Sequence, residues 1–477
     1  EDAMMGSRIL IEYHNEMGIK GDEPFTIDRD KYNPIWQKID PVLGNYVRTL
    51  GYYDVFIICA KHGHVMYSHS RESDLGANLK YGELKDEGLA ELWSEVVRTR
   101  EVAIQDFSAY TPSGGKQAAF LGAPIMNTSG EMIAVAALQL PFSEIQRIVE
   151  SRTGMGLSGE SYFVGRHNGV TAFRSNMKTM GDGRYVIGYE ISTPYIEKAL
   201  NGERDIKVFT DSAGDLTLVA YTPLEIKDLE WAMVSKTQLE EIVVPKEEGS
   251  TQDYYAKYID KYGYYDLFLI HPEGKVFYTV TKEADYGTNM IDGKYADSGL
   301  GKLVRKVLAT KEYQIADFEP YEPSGNRPAA FIAQPVLHNG EVEMVVALQL
   351  SLEAINDIMQ QREGMGKTGE TYLVGPDKLM RSDSYLDPES HSVIASFANP
   401  RKGKVDTEAV REALNGNEGH KIITDYTGEQ VLSAYCPLKI NGITWALLAE
   451  KNKKEAFQAV NDIKNLTLVI AVIGIIA

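Results

Sequence analysis

Cysteine is nearly missing from this chain: Cys59 and Cys436 are the only two among 477 residues, and both sit inside apolar, strand-like runs. Two such residues make neither a disulfide framework nor a metal-ligand spacing, so they read as small buried hydrophobes. Positive charge is also short. Lys and Arg number 49 against 68 Asp and Glu, a net charge of −19. That balance argues against nucleic acid and anionic membrane surfaces as partners and for a well-solvated surface. No Ser/His/Asp or Cys/His pairing recurs along the chain, and no general acid and base suggest themselves. We therefore assign no catalytic residue, cofactor or metal ligand, and read the chain as a non-enzyme.

Phosphate-binding loops are missing in the same sense. GMGLSG (154–159) and GMGKTG (364–369) satisfy G-x-G-x-x-G, but the fingerprint works only between a preceding strand and a following helix. Here the order is reversed, and the glycines read as a helix stop and a flexible entry into the next segment. SGGK (113–116) lacks the earlier glycine of a P-loop. His62, His64 and His69 cluster in KHGHVMYSHS, yet the corresponding stretch of a second copy keeps only His271. A solvated turn between two strands is the reading, with no metal.

Long apolar runs are scarce until the end. LTLVIAVIGIIA (466–477) is uncharged throughout, whereas a membrane-spanning helix needs roughly 20 such residues. The run reads as the first half of a transmembrane helix, and the opening Glu1 in place of Met reads as the start of a fragment. Lys451, Lys453, Lys454 and Lys464 flank it but do not decide its orientation.

What the chain does have is itself, twice. GYYDVFII (51–58) returns as GYYDLFLI (263–270), 212 positions later. QDFSAYTPSGGKQAAFLGAPI (105–125) returns as ADFEPYEPSGNRPAAFIAQPV (316–336), and RTGMGLSGESYFVG (152–165) as REGMGKTGETYLVG (362–375). The stretch 199–236 returns as 413–450. The offset stays between 210 and 214, far above the periods of solenoids, so one globular unit is present in tandem.

Each unit begins with a helix, 31–50 or 251–262, that Gly51 or Gly263 ends; the tyrosines after it, Tyr52, Tyr53, Tyr264 and Tyr265, read as packing residues. Apolar strands follow, interrupted by a helix at 85–99, and Asn339-Gly340 is a two-residue hairpin signal. Phe142, Ile145, Ile148 and Val149 form one stripe of an amphipathic helix, with Ser143 and Gln146 as a capping box. A smaller strand-rich module comes next and closes on Trp231. The fold class is α+β, with helices packed on antiparallel sheets.

A lead helix, a distal strand-rich module, a G-M-G-x-[ST]-G-E-[ST]-Y-[LF]-V-G junction and a smaller proximal module resemble a double-Cache sensor region, the form found ahead of bacterial methyl-accepting chemotaxis proteins. GMGKTGETYLVGPDKLMRSDS (364–384) and DYTGEQVLSAYCPLKINGITWALLAE (425–450) carry the likeness most specifically. The resemblance implies a tandem double-Cache chain of four PAS-like modules with antiparallel sheets and long lead helices, followed by the start of a transmembrane helix. The expected division is a helical region at 1–50, distal and proximal modules at 51–150 and 151–245, a linker helix at 246–262, a second distal and proximal pair at 263–361 and 362–450, and a juxtamembrane segment at 451–477. It implies a periplasmic ligand-sensing region held at the cell inner membrane through its C-terminal helix, as a homodimer with cytoplasmic signalling partners. Sensor regions of histidine kinases or cyclases, and non-binding adhesive ectodomains, are the alternatives.

In resembling domains the strand 105–110 borders the distal pocket, and alternation along it puts Asp106, Ser108 and Tyr110 on one face. Asp317, Glu319 and Tyr321 are the equivalents, and Trp93 lies on the distal helix. These seven are the candidate residues for a small-molecule ligand, the carboxylates suiting an ammonium or hydroxyl donor. The competing reading of Asp106 and Asp317 is that they accept from backbone N–H groups of the PSG turn. The family's Arg-x-Trp-Tyr amino-acid motif is not spelled here: Trp93 stands without its Arg and Tyr, and the second copy has Val304. Beyond Lys454 the segment is expected to be one uninterrupted helix, with Phe457, Val460 and Ile463 facing a partner.

Overall fold

The structure is a computed structural model that describes residues 2–476 apart from 152–153, 178–185, 212, 245 and 247–248. Arg152 and Thr153 of the first junction, the expected boundary residue 245 and the terminal Ala477 therefore lie outside the described residues. The chain divides into two compact units, Glu1–Ile242 and Val243–Ala477.

In the first unit, helices α1 (Asp2–Glu16) and α2 (Arg29–Leu50) precede strands β1 (Asp54–Cys59) and β2 (Val65–Ser68). Gly51 adopts φ 76° and its N–H returns to the Val47 carbonyl, which stops α2 where the sequence placed the stop. Helix α3 (Gly88–Thr99) leads to β3 (Ala103–Tyr110), β4 (Lys116–Met126) and β5 (Met132–Gln139). The antiparallel order is β2-β1-β5-β4-β3. One face of this distal sheet buries Phe56, Trp93, Tyr110 and Phe120 beneath α3, and the other buries Leu10, Tyr32, Ile39, Leu43, Ile57 and Tyr67 beneath α1 and α2. Apolar residues on both faces of β1 explain why its run DVFIIC does not alternate.

Helix α4 (Phe142–Glu150) crosses to the proximal sheet, built from β6 (Glu160–His167), β7 (Val170–Phe173), β8 (Asp205–Thr210), β9 (Leu216–Ile226) and β10 (Leu229–Gln238), with helix α5 (Pro194–Leu200) on one face and α6 (Leu239–Val243) after the last strand. Its order is β7-β6-β10-β9-β8. Two expectations for α4 fail. Pro141 occupies the N-cap without a side-chain bond, because Gln146 instead accepts from the Asn176 N–H at 2.8 Å. Ile148 is exposed while Val149 is buried, so the helix rests on its Phe142–Ile145–Val149 edge.

The second unit repeats the scheme. Helix α7 (Tyr254–Tyr262), capped by Asp253 and stopped by Gly263, leads into β11 (Tyr264–Ile270), β12 (Val276–Thr279), helix α8 (Gly299–Thr310), β13 (Gln314–Tyr321), β14 (Arg327–His338) and β15 (Glu341–Leu350). The order β12-β11-β15-β14-β13 matches the first distal sheet. Asn339 and Gly340 both take positive φ, 51° and 81°, as their hairpin turn requires. Helix α9 (Leu352–Met359) then leads to β16 (Glu370–Val374), helices α10 (Pro388–His391), α11 (Val393–Ala398) and α12 (Glu408–Leu414), and β17 (Gly419–Thr424), β18 (Gln430–Ile440) and β19 (Ile443–Asn452). This sheet runs β16-β19-β18-β17. Four antiparallel sheets therefore stand in two duplicated pairs.

The segment after β19 is not one helix. α13 (Lys453–Ala456) and α14 (Gln458–Ile476) are separated at Phe457, where φ −102° and ψ 9° leave the α-helical range. Val460 and Ile463 are exposed in this chain. Among the described residues no helix is long and apolar enough to cross a membrane.

Within each unit the two modules are joined by one buried cluster. The register of β3 against β4 slips between Gln105 and Ser108, and that of β13 against β14 between Ala316 and Glu319. Such a bulge breaks the two-residue alternation and re-aims side chains. Asp106 is thereby turned to Arg174, whose Nε and Nη2 donate to it at 2.9 and 2.8 Å, and to Trp231, whose Nε1 donates at 2.9 Å. In the second unit Arg381 donates to Asp317 at 2.8 Å through Nε and Nη2, and Trp445 at 3.0 Å. Arg174 and Arg381 are each only 2% exposed. Glycine ends the YFVG and YLVG motifs because the arginine lies against it: a Cβ at Gly165 would sit 2.8 Å from Trp231 Cδ1 and 2.9 Å from Arg174 Nε, and one at Gly375 would overlap the Arg381 guanidinium.

Removing one partner of a buried ion pair leaves the other charge unsatisfied, at about 3–5 kcal/mol. Asp106→Ala is expected to lower the unfolding free energy by that order in urea denaturation. Gly375→Ala should destabilise the second unit comparably by displacing Arg381. Losses under about 1 kcal/mol in both variants would show that the cluster does not hold the modules together.

Candidate functional site

The cluster at Asp106 and Asp317 fixes where the expected ligand residues go. Both aspartates are taken up by arginine and tryptophan, so neither the ligand face nor the PSG-turn reading holds for them. Trp93 is core, its Nε1 donating to the Cys59 carbonyl at 3.1 Å. Glu319 lies at the surface and pairs with Lys302 at 2.9 Å. Tyr53 and Tyr265 are not packing residues: both are partly exposed and donate to Glu72 and Glu283, each at 2.7 Å.

Ser108, Tyr110 and Tyr321 lie on the α3 and α8 side of the bulge, where a second buried polar network recurs in both distal modules. Asp54 opens β1 and accepts from the Ser68 hydroxyl at 2.7 Å and the His69 N–H at 2.8 Å. Asp266 does the same toward Thr279 and the Val280 N–H, both at 2.9 Å. These bonds hold the chain as it leaves the second strand and turns toward the next acidic pair. Tyr110 donates to Asp74 Oδ2 at 2.9 Å, and Tyr321 to Asp285 Oδ2 at 2.5 Å. Gln139, at the end of β5, donates to the Ser113 hydroxyl at 3.3 Å, as Gln349 does to Ser324 at 3.4 Å. Those two serines donate to Glu72 and Glu283.

The network is short of donors. Among the described residues, the acceptors Asp74 Oδ1 and Gln139 Oε1 are buried without a partner in the first unit, and Asp285 Oδ1 and Gln349 Oε1 in the second. A buried acceptor without a donor costs about 1–3 kcal/mol, more if charged. Desolvation accordingly raises the Asp74 carboxyl to about 7, with Asp54 and Glu72 adding repulsion against the bond from Tyr110. Asp285 is raised to about 6 for the same reasons. Such a site is suited to a group that brings hydrogens and positive charge: an ammonium, or a neutral hydroxyl or amide donor.

Asp74, Asp285, Gln139 and Gln349 escaped the sequence reading, although two signals pointed to them. A D-x-G recurs in the loop before the distal helix, as DLG (74–76) and DYG (285–287). A lone glutamine also recurs near the end of an apolar strand, in VAALQL and VVALQL.

The copies differ in the space they leave. The first proximal module encloses a cavity of 420 Å³ lined by Tyr162, Phe173, Tyr195, Phe209 and Lys236 among others. In the second, Tyr426 fills the core beside Tyr372 and donates to Glu370 at 2.5 Å; the first copy spells Ser212 at that position. In the second distal module, with only the short α7 over the outer face of its sheet, a cavity of 350 Å³ opens among Tyr254, Tyr255, Tyr258, Tyr264 and Tyr313.

The glycine loops of the junction bind an anion after all, one supplied by the chain. Lys367 and Thr368 donate their backbone N–H groups to Glu455 at 2.9 and 2.8 Å. In the first unit Leu157 and the N–H and hydroxyl of Ser158 donate to Glu241. A Cβ at Gly156 or Gly366 would come within 2.2 Å of the carboxylate, so glycine is needed for the approach. The bonds from Thr368 and Lys367 hold the Glu455 carboxyl down at about 2.

The Cache domain family matches residues 235–460. A probable chemoreceptor of Sinorhizobium fredii, y4sI, is 24% identical over 225 residues, 46% of this chain and 25% of its own length. The chain thus spans about a quarter of that curated relative. Among solved structures, the ligand-binding domain of the Pseudomonas fluorescens chemoreceptor CtaA, in complex with L-isoleucine, is similar at 16% identity and TM-score 0.30, over 42% of this chain and 73% of that one. The ligand-binding domain of the Pseudomonas aeruginosa chemoreceptor PctC, in complex with GABA, is similar at 15% identity and TM-score 0.30, over 43% and 84%. The matched stretch contains 364–384 and 425–450, the two segments that carry the resemblance in the sequence.

The raised carboxyl of Asp74 ties stability to pH. The folded state holds this proton more tightly than the unfolded chain, so the contribution is full below about pH 4, falls as pH rises toward 7, and is flat above. Wild type should lose stability relative to Asp74→Asn across that window, with a slope approaching about 1.4 kcal/mol per pH unit. Parallel stability curves for the two proteins between pH 4 and 7 would contradict a buried, protonated Asp74.

Proposed function

We propose that this chain is the extracytoplasmic ligand-sensing region of a transmembrane chemoreceptor, and that the buried acidic network of its distal modules is the recognition site. The observation that carries the reading is the repeated pair of orphaned acceptors, Asp74 Oδ1 with Gln139 Oε1 and Asp285 Oδ1 with Gln349 Oε1. The match to the Cache domain and the relative named a probable chemoreceptor support the sensing role. The ligand class is a small molecule with an ammonium or comparable donor group, which satisfies both acceptors and balances the nearby carboxylates. Sensor regions of a kinase or cyclase would use the same input with a different output.

Signal passes, in this reading, from the distal network through the Asp–Arg–Trp cluster to the proximal sheet, and from β19 into α13 and α14. Glu455 anchors α13 to the junction loop, so a shift of the proximal module is delivered to the helix beyond it. The exposed stripe of Val460, Ile463, Leu466 and Ile470 is offered to a second copy of the chain and to the inner membrane.

A set of small primary amines screened against the full chain by thermal shift, with calorimetry on the hits, tests the ligand reading. Binding should tighten as pH rises from 5 to about 7, because a carboxylate receives the ammonium, and should be lost in the double variant Asp74→Asn, Asp285→Asn. A double variant that binds as tightly as wild type sinks the assignment. The anchor has its own test. Glu455→Gln should speed amide hydrogen exchange at Lys367 and Thr368 at neutral pH, while wild type keeps its protection as pH falls until near 2. Unchanged exchange would mean that the carboxylate does not hold the loop.

A further inference from the structure

One cluster of chemistry-bearing side chains lies outside everything used so far. The sequence placed His62, His64 and His69 together in a solvated turn. His69 in fact leaves the group to bond Asp40 at 2.5 Å, and its place is taken by His14, from the last turn of α1. One ring nitrogen from each of His14, His62 and His64 lies within 4.8 Å of the others. His14 Nε2 and His64 Nδ1 are 2.7 Å apart. His14 is 3% and His64 0% exposed, so neither belongs to a solvated turn.

The tautomer of His64 is set by what surrounds it. Its Nε2 lies 2.7 Å from the Glu23 carbonyl, which can only accept, and the nearby Asn78 amide nitrogen, 3.1 Å away, has the Gly21 and Glu23 carbonyls for its hydrogens, so Nε2 carries the hydrogen and Nδ1 presents a lone pair to the cluster. An imidazole held by a backbone carbonyl on its far nitrogen is the arrangement that orients metal-ligating histidines. The Phe25 ring lies 5.2 Å from that of His14 and 6.3 Å from that of His64, an apolar wall on one side. Burial disfavours the charged form of all three rings, with repulsion from His64 and His62 adding to it at His14. Three imidazoles binding one ion at about 2.1 Å place their nitrogens about 3–3.5 Å apart, within a small side-chain adjustment of the separations here. The second unit has Glu273 and Lys275 where the first has His62 and His64.

We propose that His14, His62 and His64 bind one divalent transition-metal ion of the zinc class, fastening α1 to the turn between β1 and β2 in the first unit alone. Three neutral nitrogens suit a borderline ion rather than calcium or magnesium, and leave a fourth position for water or another donor.

The test uses the full chain, stripped with a chelator and titrated with Zn²⁺ by calorimetry, and separately with Co²⁺ by visible absorption. One ion per chain is expected, with the intense visible bands of four-coordinate cobalt. His14→Ala and His62→Ala should each weaken binding by about tenfold or more, whereas His69→Ala should leave it unchanged. His62 is only partly buried, so its variant keeps the test valid if the His14 variant fails to fold. Zinc should raise the melting temperature of wild type and not of the His62→Ala protein. No saturable binding at 100-micromolar zinc, or equal affinity in wild type and His62→Ala, overturns the site.

Discussion

The architecture of each unit depends on one buried ion pair. Two sheets that share no strand must be held at a fixed relation if a small change in one is to reach the other. Asp106 with Arg174 and Trp231, and Asp317 with Arg381 and Trp445, provide that link at distances near 2.9 Å. Burial makes the link demanding: an arginine out of water is tolerable only with its hydrogens satisfied. The β-bulge, the closing glycine of the Y-[LF]-V-G motif and the tryptophan of the last strand all follow from that demand. Phe107, Phe163 and Trp231 pack around it in the first unit, which excludes water and keeps the pair strong.

With those aspartates occupied, the proposed recognition site lies on the other side of the bulge. There the chain keeps acceptors in excess of donors, at the same places in both copies. Repetition of Asp54, Glu72, Asp74, Tyr110 and Gln139 as Asp266, Glu283, Asp285, Tyr321 and Gln349, with the same bonds among them, is unlike incidental surface polarity. The surroundings have diverged. Trp93 stands where the second copy has Val304, α2 is far longer than α7, and the two proximal cores differ by a tyrosine that only the second copy has. Equal polar networks therefore sit in unequal frames.

The glycine junction shows how one sequence pattern serves different chemistry in different contexts. Exposed N–H groups in a glycine loop bind anions in general. A strand before and a helix after would aim them at a nucleotide phosphate; here the reversed order aims them at a glutamate three residues beyond the last strand. The same physics that would hold a ligand instead ties the exit helix to its module.

The sequence alone determined the duplication, the helix stops at Gly51 and Gly263, the hairpin at Asn339-Gly340, the antiparallel α+β class and the Cache resemblance, because each rests on local propensity or on direct repetition. Only the tertiary structure decided which side chains meet. A one-residue bulge reversed the facing of Asp106 and Asp317, which no alternation rule anticipates, since the bulge is a property of strand pairing and not of the strand. His14 joined His62 and His64 across 48 residues of chain, while His69, near in sequence, turned to Asp40. The orphaned oxygens of Asp74 and Asp285 were equally out of reach, because an unmet hydrogen bond is defined by every neighbour a group has in space, and the sequence names only the neighbours along the chain.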